Sequence, residues 1–540
     1  MAYTPSLDPS LYTTAGTNTD QQLMDQMAQQ SSTPVSITNS GLPRVTLVCG
    51  PSPFTMPRGW EFFLTSPYEG ITYIATVLIN AGFPVRIIDV RYDPTPLQTA
   101  YDQIMDGGTD VLGIATFEDN YPFVEELIRE CKNARPNMPI ILGGSLVTSV
   151  PHVFMRETRA DVAVISEGEL TILEVMEAYA AGSWDTRLPL INGIWYKDSK
   201  GAVHSTPPRG QMANLNSLPN MRLDLWPQAK DPRGLQPQII TSYSRGCKMD
   251  CSFCYRTTPQ ERVKSPQKLH SELTWLKSQY NIEFAFFVDL TFTAHKKQTL
   301  EYLEVIKEFD IGWTCLTRNA DVDLEVTKAM GEAGCDIALY GVESLTPAAL
   351  KEARKGSTEN IVMKAMKHSA EGGIRYGGLT IVGLPGETEE SLDHMCKWAE
   401  ENRHITRVKY LSAMPGTTVY HQGVASGRIQ DEVQHLRWLS VEQALERDEY
   451  LNYNELPDHV MRSAYKRLYD SYQEGPVMDF KHYPEHFAYY DPEPTTAWRA
   501  DFASAGAVPA PGTEAFRGLK PAGPGVTLTR VRTGEFTVQV

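Results

Sequence analysis

The chain has 540 residues, of which 41% are hydrophobic and 21% charged, and its formal net charge is -16. This length predicts two or three domains, and the acidic balance argues against a nucleic-acid partner, which needs a basic face. No apolar run is long enough to cross a bilayer, and the polar N-terminal stretch lacks the features of a signal peptide. We therefore expect a cytoplasmic protein that does not bind a membrane.

The first part of the chain alternates between short apolar runs and helical patterns. Residues 1–42 are rich in Ser, Thr and Gln and are predicted to form a flexible arm. Between residues 43 and 185, five apolar runs such as "VTLVC", "VLGIA" and "IILGG" alternate with amphipathic stretches of ten to fifteen residues. This pattern predicts a parallel, doubly wound, flavodoxin-like sheet of the Rossmann type, which binds its ligand beyond the carboxyl ends of the strands.

A second alternation follows a hairpin and linker, which we place at residues 186–235. About six strand–helix units are predicted over residues 236–424, which suits a partial (β/α)6 barrel of the TIM type. Residues 425–540 are predicted to be a helical C-terminal region with a loose tail, and we expect its helices to cap the barrel mouth. The fold class is therefore α/β, with two parallel sheets and a helical C-terminal region.

Three of the eight cysteines stand within eight residues, in the loop "SRGCKMDCSFCYR". Eight cysteines are too few for a disulfide scaffold, and no fourth cysteine or histidine follows closely enough to complete a structural zinc site. An iron–sulfur cluster normally takes four thiolates, so Cys247, Cys251 and Cys254 would leave one iron open for a substrate or cofactor. The loop directly follows a predicted strand, which places it at the active face of a barrel.

The spacing C-x3-C-x2-C, with Phe253 before the last cysteine, resembles the radical S-adenosylmethionine (SAM) superfamily over residues 236–420. The resemblance implies that the three cysteines hold a [4Fe-4S] cluster and that SAM binds its open iron and yields a deoxyadenosyl radical. It also implies a set of residues around the cluster and SAM at the ends of the barrel strands. That set comprises Phe253, Tyr255, Asp289, Arg318, Glu343, Ser344, Gly383 and Gly386.

The order of the two domains resembles the cobalamin-binding branch of that superfamily, called class B. The resemblance implies that the corrinoid lies across the strand ends of the first sheet and faces the cluster. Two loops would line the corrinoid, the first with Gly143, Gly144, Ser145 and Thr148 and the second with Glu167, Gly168 and Glu169. The loop after the first strand, "CGPSPFTMP", has no histidine, so a histidine ligand on the lower face of the cobalt is not expected.

The predicted function is a cobalamin-dependent radical SAM methyltransferase, class B, that acts on an unactivated carbon or phosphorus of a small or carrier-bound substrate in secondary metabolism. An external electron donor such as flavodoxin or ferredoxin is expected. A cobalamin-dependent radical SAM cyclase or ring-rearranging enzyme remains the alternative. A methylthiotransferase is less favoured, because it needs three further cluster cysteines in its first domain, where this chain has only Cys49 and Cys131. Cys315 and Cys335 lie near barrel strands and are expected to be packing residues.

Overall fold

The computed structural model describes residues 41–51, 66–91, 93, 95–230, 238–255, 257–444, 450–474, 527–530 and 536–539. Most of the predicted N-terminal arm and most of the predicted loose tail lie outside these ranges. Among the described residues, no helix combines the length and the apolar character that crossing a membrane requires.

The first domain is a seven-stranded sheet in the order β2-β1-β3-β4-β5-β6-β7. Its first five strands are parallel, and their order is that of flavodoxin-like folds. The strands are β1 (Val45–Cys49), β2 (Val85–Asp89), β3 (Val111–Ala115), β4 (Ile140–Gly143), β5 (Val162–Val164), β6 (Ile194–Lys197) and β7 (Val203–Ser205). The predicted hairpin is therefore β6–β7, and it extends the sheet because β6 pairs antiparallel with β5.

Helices cover both faces of this sheet. They are α1 (Glu69–Asn80), α2 (Pro96–Asp106), α3 (Tyr121–Ala134), α4 (Ser145–Ser149), α5 (Pro151–Glu157), α6 (Glu169–Ala180) and α7 (Trp184–Arg187). Successive β1 residues point to opposite faces. Leu47 packs in the cluster that contains residues of α1 and α6, and Val48 packs in the cluster that contains residues of α2 and α3. The doubly wound prediction is confirmed.

The predicted linker after the hairpin is packed. Leu215, Leu218, Leu223 and Trp226 are all buried, and the Trp226 indole N–H donates to the Thr72 hydroxyl of α1. Its apolar residues are spaced irregularly because the segment forms short 3-10 turns, so neither helical nor strand periodicity reveals this packing in the sequence.

The second domain is a six-stranded parallel sheet in the order β15-β14-β13-β12-β11-β8, with β8 and β15 at its two edges. A small antiparallel pair, β9 (Ser244–Arg245) with β10 (Arg262–Val263), frames the cysteine loop. The six strands are β8 (Gln238–Thr241), β11 (Phe284–Phe287), β12 (Gly312–Thr317), β13 (Cys335–Glu343), β14 (Arg375–Val382) and β15 (Ile405–Tyr410). The predicted six-unit partial barrel is confirmed.

The remaining helices connect these strands or follow the last of them. They are α8 (Pro266–Tyr280), α9 (Lys296–Lys307), α10 (Leu324–Glu332), α11 (Pro347–Glu352), α12 (Glu359–Glu371), α13 (Glu389–Asn402), α14 (Thr418–Ala425), α15 (Glu432–Ala444) and α16 (Asp458–Glu474). A two-stranded ribbon, β16 (Thr527–Arg530) with β17 (Phe536–Gln539), lies near the end of the chain.

Helix α16 does not sit where the sequence predicted. We expected the C-terminal helices to cap the barrel mouth, but α16 packs beside the barrel, against β15 and α13. The Cys396 thiol on α13 donates to the carbonyl of Ala464, and Tyr410 of β15 stacks on Tyr465 at 4.3 Å. The face of α16 that carries these contacts is apolar because it covers the outer side of an edge strand, which the sequence alone does not distinguish from a cap.

Candidate functional site

The three cysteines lie in the loop that leaves the carboxyl end of β8 and passes through β9. Gly246 begins the turn with φ 87°, and the carbonyl of Gln260 occupies the space that a Cβ would need. Only glycine fits this close approach. Cys247 and Cys251 are partly buried, Cys254 is exposed, and none of the three forms a disulfide.

A buried carboxylate anchors the start of the cysteine loop. Asp289, just after β11, accepts hydrogen bonds from the backbone N–H groups of Tyr243 and Ser244 at 3.1 and 2.6 Å and from the Ser244 hydroxyl. Burial raises the pKa of Asp289 to about 7, although the hydrogen bonds from Ser244 favour its charged form. The structure thus gives Asp289 a positioning role for the loop, and its predicted contact with SAM stays a prediction.

The turn after α11 holds the other side of the loop. The N–H of Ser252 donates to the carbonyl of Ala353, and the Arg354 guanidinium donates to the carbonyl of Asp250 at 2.7 Å. The Cys251 thiol lies 3.7 Å from the carbonyl of Arg354. Arg354 adopts φ 53°, a left-handed conformation that places its carbonyl toward the thiol loop.

A buried lysine that the sequence analysis did not single out lies beside the cysteines. Lys355 forms an ion pair with Glu343 at 2.8 Å, and Arg318 donates to the Lys355 carbonyl at 3.2 Å. Burial lowers the pKa of Lys355, but the charge of Glu343 and its hydrogen bond outweigh that effect and raise it. Glu343 has φ 62°, an unusual conformation for a non-glycine residue, of the kind that clusters at functional sites.

The two predicted SAM motifs at the ends of β13 and β14 meet through one carboxylate. Glu387 accepts from the Ser344 hydroxyl and from the Gly383 N–H, each at 2.8 Å. Burial raises the pKa of Glu387 to about 7 against the effect of these two hydrogen bonds. Gly383 and Gly386 both have positive φ, and Met461 of α16 fills the position of a Cβ on Gly383. Glu387 follows Gly386 directly in the stretch "VGLPGE", so its position next to the predicted Gly383 and Gly386 was the signal for it.

These residues suit an iron–sulfur cluster and SAM. Cys247, Cys251 and Cys254 would each bind a separate iron of a four-iron cluster and leave one iron open. The Nε of Arg318 is buried without a hydrogen-bond partner, which fits an anionic ligand group such as the carboxylate of SAM.

The first predicted corrinoid loop lies at the carboxyl end of β4. Gly144 has φ 109°, and the backbone of Thr116 occupies the position of its Cβ, whereas the Cβ position of Gly143 faces open space. The Thr148 hydroxyl accepts from the N–H of Ser166 at 3.0 Å, which ties this loop to the one after β5. Ser145 is the first residue of α4.

The second predicted corrinoid loop uses its carboxylates for another purpose. Glu167 pairs with Arg245 at 3.1 Å and with Arg262 at 2.7 Å, and Glu169 pairs with Arg245 at 2.6 Å. Gly168, between them, packs closely under Ile74. Arg245 stands two residues before Cys247, so these ion pairs join the loop to the cysteine loop. A corrinoid contact by Glu167, Gly168 or Glu169 stays a prediction, and the two carboxylates have other partners.

The cysteine loop also touches the first domain through its aromatic residues. The Tyr255 hydroxyl lies 3.4 Å from the Ser149 hydroxyl of α4, and burial raises the pKa of Tyr255. Phe253 packs against the apolar cluster that contains Leu146 of α4 and Leu384. The carboxyl edge of the first sheet and the carboxyl edge of the barrel therefore face each other, with the cysteine loop between them.

The carboxyl edge of the first sheet suits a corrinoid. The hydroxyls of Ser66 and Ser166 are buried there without hydrogen-bond partners, and Gly143 leaves room for close approach. A corrinoid carries amide groups that both donate and accept hydrogen bonds, so such hydroxyls are suitable partners.

The other cysteines are packing residues. Cys315 and Cys335 are buried and lie in the cluster between the barrel strands and their helices, on the opposite side of the strands from the barrel interior. Cys49 and Cys131 are buried in different clusters, which places them on opposite faces of the first sheet. They cannot contribute to one cluster, which argues against a methylthiotransferase.

Comparison with known proteins agrees with this geometry. The radical SAM superfamily pattern matches residues 241–399, and the B12 binding domain pattern matches residues 65–176. An uncharacterized methyltransferase of Pyrococcus horikoshii is 30% identical over 369 residues, which cover 67% of this chain and 79% of that protein. An anaerobic magnesium-protoporphyrin IX monomethyl ester cyclase of Rubrivivax gelatinosus is 25% identical over 62% of each chain.

A solved structure shares the fold. The radical S-adenosylmethionine methyltransferase TsrM from Kitasatospora setae, with tryptophan substrate and a SAM analog bound, superposes with a TM-score of 0.58 at 17% identity. The match covers 72% of this chain and 76% of that one. With both domain matches and the Pyrococcus relative, this chain belongs to the cobalamin-binding radical SAM enzymes of the methyltransferase type, whose cofactors are a [4Fe-4S] cluster, SAM and cobalamin.

Proposed function

We propose that this protein transfers a methyl group from SAM to an unactivated carbon or phosphorus centre of a small or carrier-bound molecule in secondary metabolism. The observation that supports this proposal is the contact between the carboxyl edge of the first sheet and the carboxyl edge of the barrel. Tyr255 in the cysteine loop reaches α4 at the corrinoid edge, and Arg245 binds the loop that follows β5. Methyl transfer to such a centre requires that the cofactors at both edges reach the same substrate.

Each edge would hold its own cofactor. Cys247, Cys251 and Cys254 would bind the cluster, Arg318 and Ser344 would bind SAM, and the loop at Gly143 would bind the corrinoid. When bound, the cluster and SAM supply a radical that takes a hydrogen atom from the substrate, and the corrinoid supplies the methyl group.

The chain's own residues would orient the substrate and the cofactors and shield them from water. The inner wall of the barrel carries Phe286, Leu316 and Leu379, which offer no polar group to a bound substrate. An apolar wall keeps water out of the site, where side reactions with solvent would otherwise compete with methyl transfer. The ion pairs of Arg245 with Glu167 and Glu169 hold the two edges together on the side of the cysteine loop.

An external electron donor, such as flavodoxin or ferredoxin, would reduce the cluster. The contact of such a redox protein with the enzyme need only be transient.

The proposal predicts which cysteines radical formation requires. Anaerobically reconstituted protein should show iron–sulfur and corrinoid absorption and should form 5′-deoxyadenosine from SAM and a reductant. Replacing Cys247, Cys251 and Cys254 together with Ala should abolish iron–sulfur absorption and deoxyadenosine formation and leave corrinoid binding intact. Cys131→Ala, at a buried packing cysteine, is the matched control and should retain iron–sulfur absorption, deoxyadenosine formation and corrinoid binding. Continued deoxyadenosine formation by the triple variant would sink the proposal.

Cyclisation is the second candidate, because the Rubrivivax relative is named a cyclase. SAM with a trideuterated methyl group separates the two reactions in an incubation with a small-molecule extract of the source cells. Methyl transfer leaves a trideuteromethyl group in a product, whereas cyclisation or rearrangement leaves none. A product that forms in step with deoxyadenosine but carries no deuterium would replace methyl transfer by cyclisation.

A further inference from the structure

A short antiparallel ribbon forms the stem of the cysteine loop. Strands β9 and β10 pair with Arg245 directly opposite Arg262. The three cysteines lie in the segment between these two strands, so the ribbon holds both ends of that segment. Beside the ribbon, the carbonyl of Gln260 comes so close to Gly246 that a Cβ on this glycine would overlap it. The stem is therefore tightly closed where the cysteine loop begins.

The stem carries a pair of like charges that is unfavourable by itself. Residues directly opposite each other in an antiparallel pair lie close together, so two arginines there repel each other. Both side chains are largely buried, with 16% of Arg245 and 10% of Arg262 exposed. Burial of a cation costs free energy unless an anion compensates it. With two residues in each strand, the ribbon is also too short to be stable alone.

A carboxylate of the first domain compensates both arginines. One oxygen of Glu167 lies 3.1 Å from the guanidinium of Arg245, and the other lies 2.7 Å from that of Arg262. The second oxygen also accepts from the N–H of Met212 at 2.8 Å. Burial raises the pKa of Glu167, but the charge of Arg245 and the hydrogen bond from Arg262 outweigh burial and lower it. Glu167 is thus an anion that bridges the two strands of the stem.

Neighbouring contacts attach the same stem to the first domain. Glu169, at the start of α6, pairs with Arg245 at 2.6 Å. Lys264, directly after β10, has a side chain that is 1% exposed and donates to the Tyr73 hydroxyl of α1 at 3.1 Å. Glu167 differs from Glu169 because its carboxylate pairs with an arginine on each strand, whereas that of Glu169 pairs with Arg245.

Resting on the proposed function, in which the three cysteines hold the cluster, we propose that Glu167 is a positioning residue for the iron–sulfur cluster. By bridging Arg245 and Arg262, it closes the stem and holds the thiols of the cysteine loop in the arrangement that binds the cluster. Retention of the cluster then depends on the first domain, although all three thiols belong to the barrel. This role differs from the corrinoid contact that the sequence resemblance implied for Glu167.

The test measures how fast the anaerobically reconstituted enzyme loses cluster iron to the chelator bathophenanthroline. Glu167→Gln keeps the size of the side chain but removes its charge and one acceptor. It should release iron about tenfold faster than the wild type, because the loss of a charge-assisted hydrogen bond makes opening of the stem that much more frequent. Glu169→Gln should give a smaller increase, because the bridge remains. The matched control is Glu174→Gln, also on α6, whose partner Arg209 lies at 2.6 Å outside the cysteine loop, and it should release iron like the wild type.

The electron paramagnetic resonance spectrum of the reduced cluster separates positioning from general stability. A loosened stem lets the thiols adopt more than one arrangement, so Glu167→Gln should broaden the cluster signal, whereas Glu174→Gln should not. Arg262→Gln removes the same bridge from the barrel side, and it tests the inference where Glu167→Gln does not fold. The two variants combined should accelerate iron release by less than the product of their separate effects, because both changes remove one contact. Corrinoid affinity should be unchanged in all of them.

Three results would overturn the inference. The first is a Glu167→Gln variant that keeps the wild-type rate of iron release and the wild-type line shape. The second is a Glu167→Gln variant that keeps the cluster but loses corrinoid, since the carboxylate would then serve the corrinoid. The third is a Glu174→Gln variant that loses iron as fast as Glu167→Gln. A wild type that shows no iron–sulfur absorption after reconstitution contradicts the proposed function, whereas any of the three results in a wild type that holds its cluster contradicts only this inference.

Discussion

Ion pairs join the first domain to the rest of the chain at several places, and two of these contacts differ in burial. At the cysteine loop, Arg245 lies between Glu167 and Glu169, and all three side chains are at most 16% exposed. At the far side, Arg437 of α15 pairs with Glu125 of α3 at 2.9 Å, with the two side chains 32% and 27% exposed. The chemistry is the same, but water reaches only the second pair freely.

This difference in burial indicates where the position of the first domain relative to the barrel is fixed. A buried charge without its partner is strongly unfavourable, so the pairs at Arg245 hold the two edges in one arrangement. A half-exposed pair contributes little to stability and tolerates movement. The contact at Arg245, which we call the inner contact, lies where the two cofactors are expected to meet. The contact between Arg437 and Glu125, which we call the outer contact, fixes α15 to the surface of the first domain.

The largest effect is expected at the inner contact. Arg245→Met leaves the buried Glu169 carboxylate without its cation and leaves Glu167 with Arg262 alone, which should lower the free energy of unfolding by about 3–5 kcal/mol. Urea unfolding at pH 7 measures this loss. A change below about 1 kcal/mol would show that the contact is no more important than a surface pair.

An intermediate effect that depends on pH is expected at Glu387. Its pKa is about 7 in the folded protein and near 4.5 ordinarily, so its contribution to stability is present below about 4.5 and is lost as the pH rises through 7. The Glu387→Gln variant stays neutral at every pH. Relative to that variant, the wild type should lose on the order of 3 kcal/mol of unfolding free energy between these pH values. A wild type that keeps or gains unfolding free energy relative to Glu387→Gln as the pH rises would contradict the assignment.

The smallest effect is expected at the outer contact. Arg437→Met should lower the free energy of unfolding by about 0.2–1 kcal/mol, because solvent already screens the pair. The same urea unfolding measures it, and Glu125→Gln with the double variant isolates the pairwise energy. A loss as large as that of Arg245→Met would remove the distinction between the two contacts.

Local patterns in the sequence predicted the fold and the cysteine loop. The alternation of "VTLVC" or "FAFF" with amphipathic helices defines parallel strands, because each run is long enough to be a strand and too short to be a buried helix. The spacing of Cys247, Cys251 and Cys254 depends on neighbours in the chain, so it is visible without a structure.

Contacts between distant residues could not be predicted in this way. Lys355 and Glu343 are twelve residues apart, and Arg262 and Glu167 are separated by 95. Nothing in the local sequence distinguishes a lysine that is buried beside a carboxylate from one that is solvated, because burial depends on how the elements pack. The same reason explains why α16 was expected over the barrel mouth when it lies beside β15.

The central claim is that the cluster and the corrinoid share one compartment between the two carboxyl edges. Electron paramagnetic resonance of the reconstituted enzyme tests it most directly, with the corrinoid in its Co(II) form and the cluster reduced. We predict that the cobalt signal is broadened by dipolar coupling to the reduced cluster, and that the coupling is lost when Cys247, Cys251 and Cys254 are replaced with Ala. A cobalt signal that is the same with and without the reduced cluster would contradict the account.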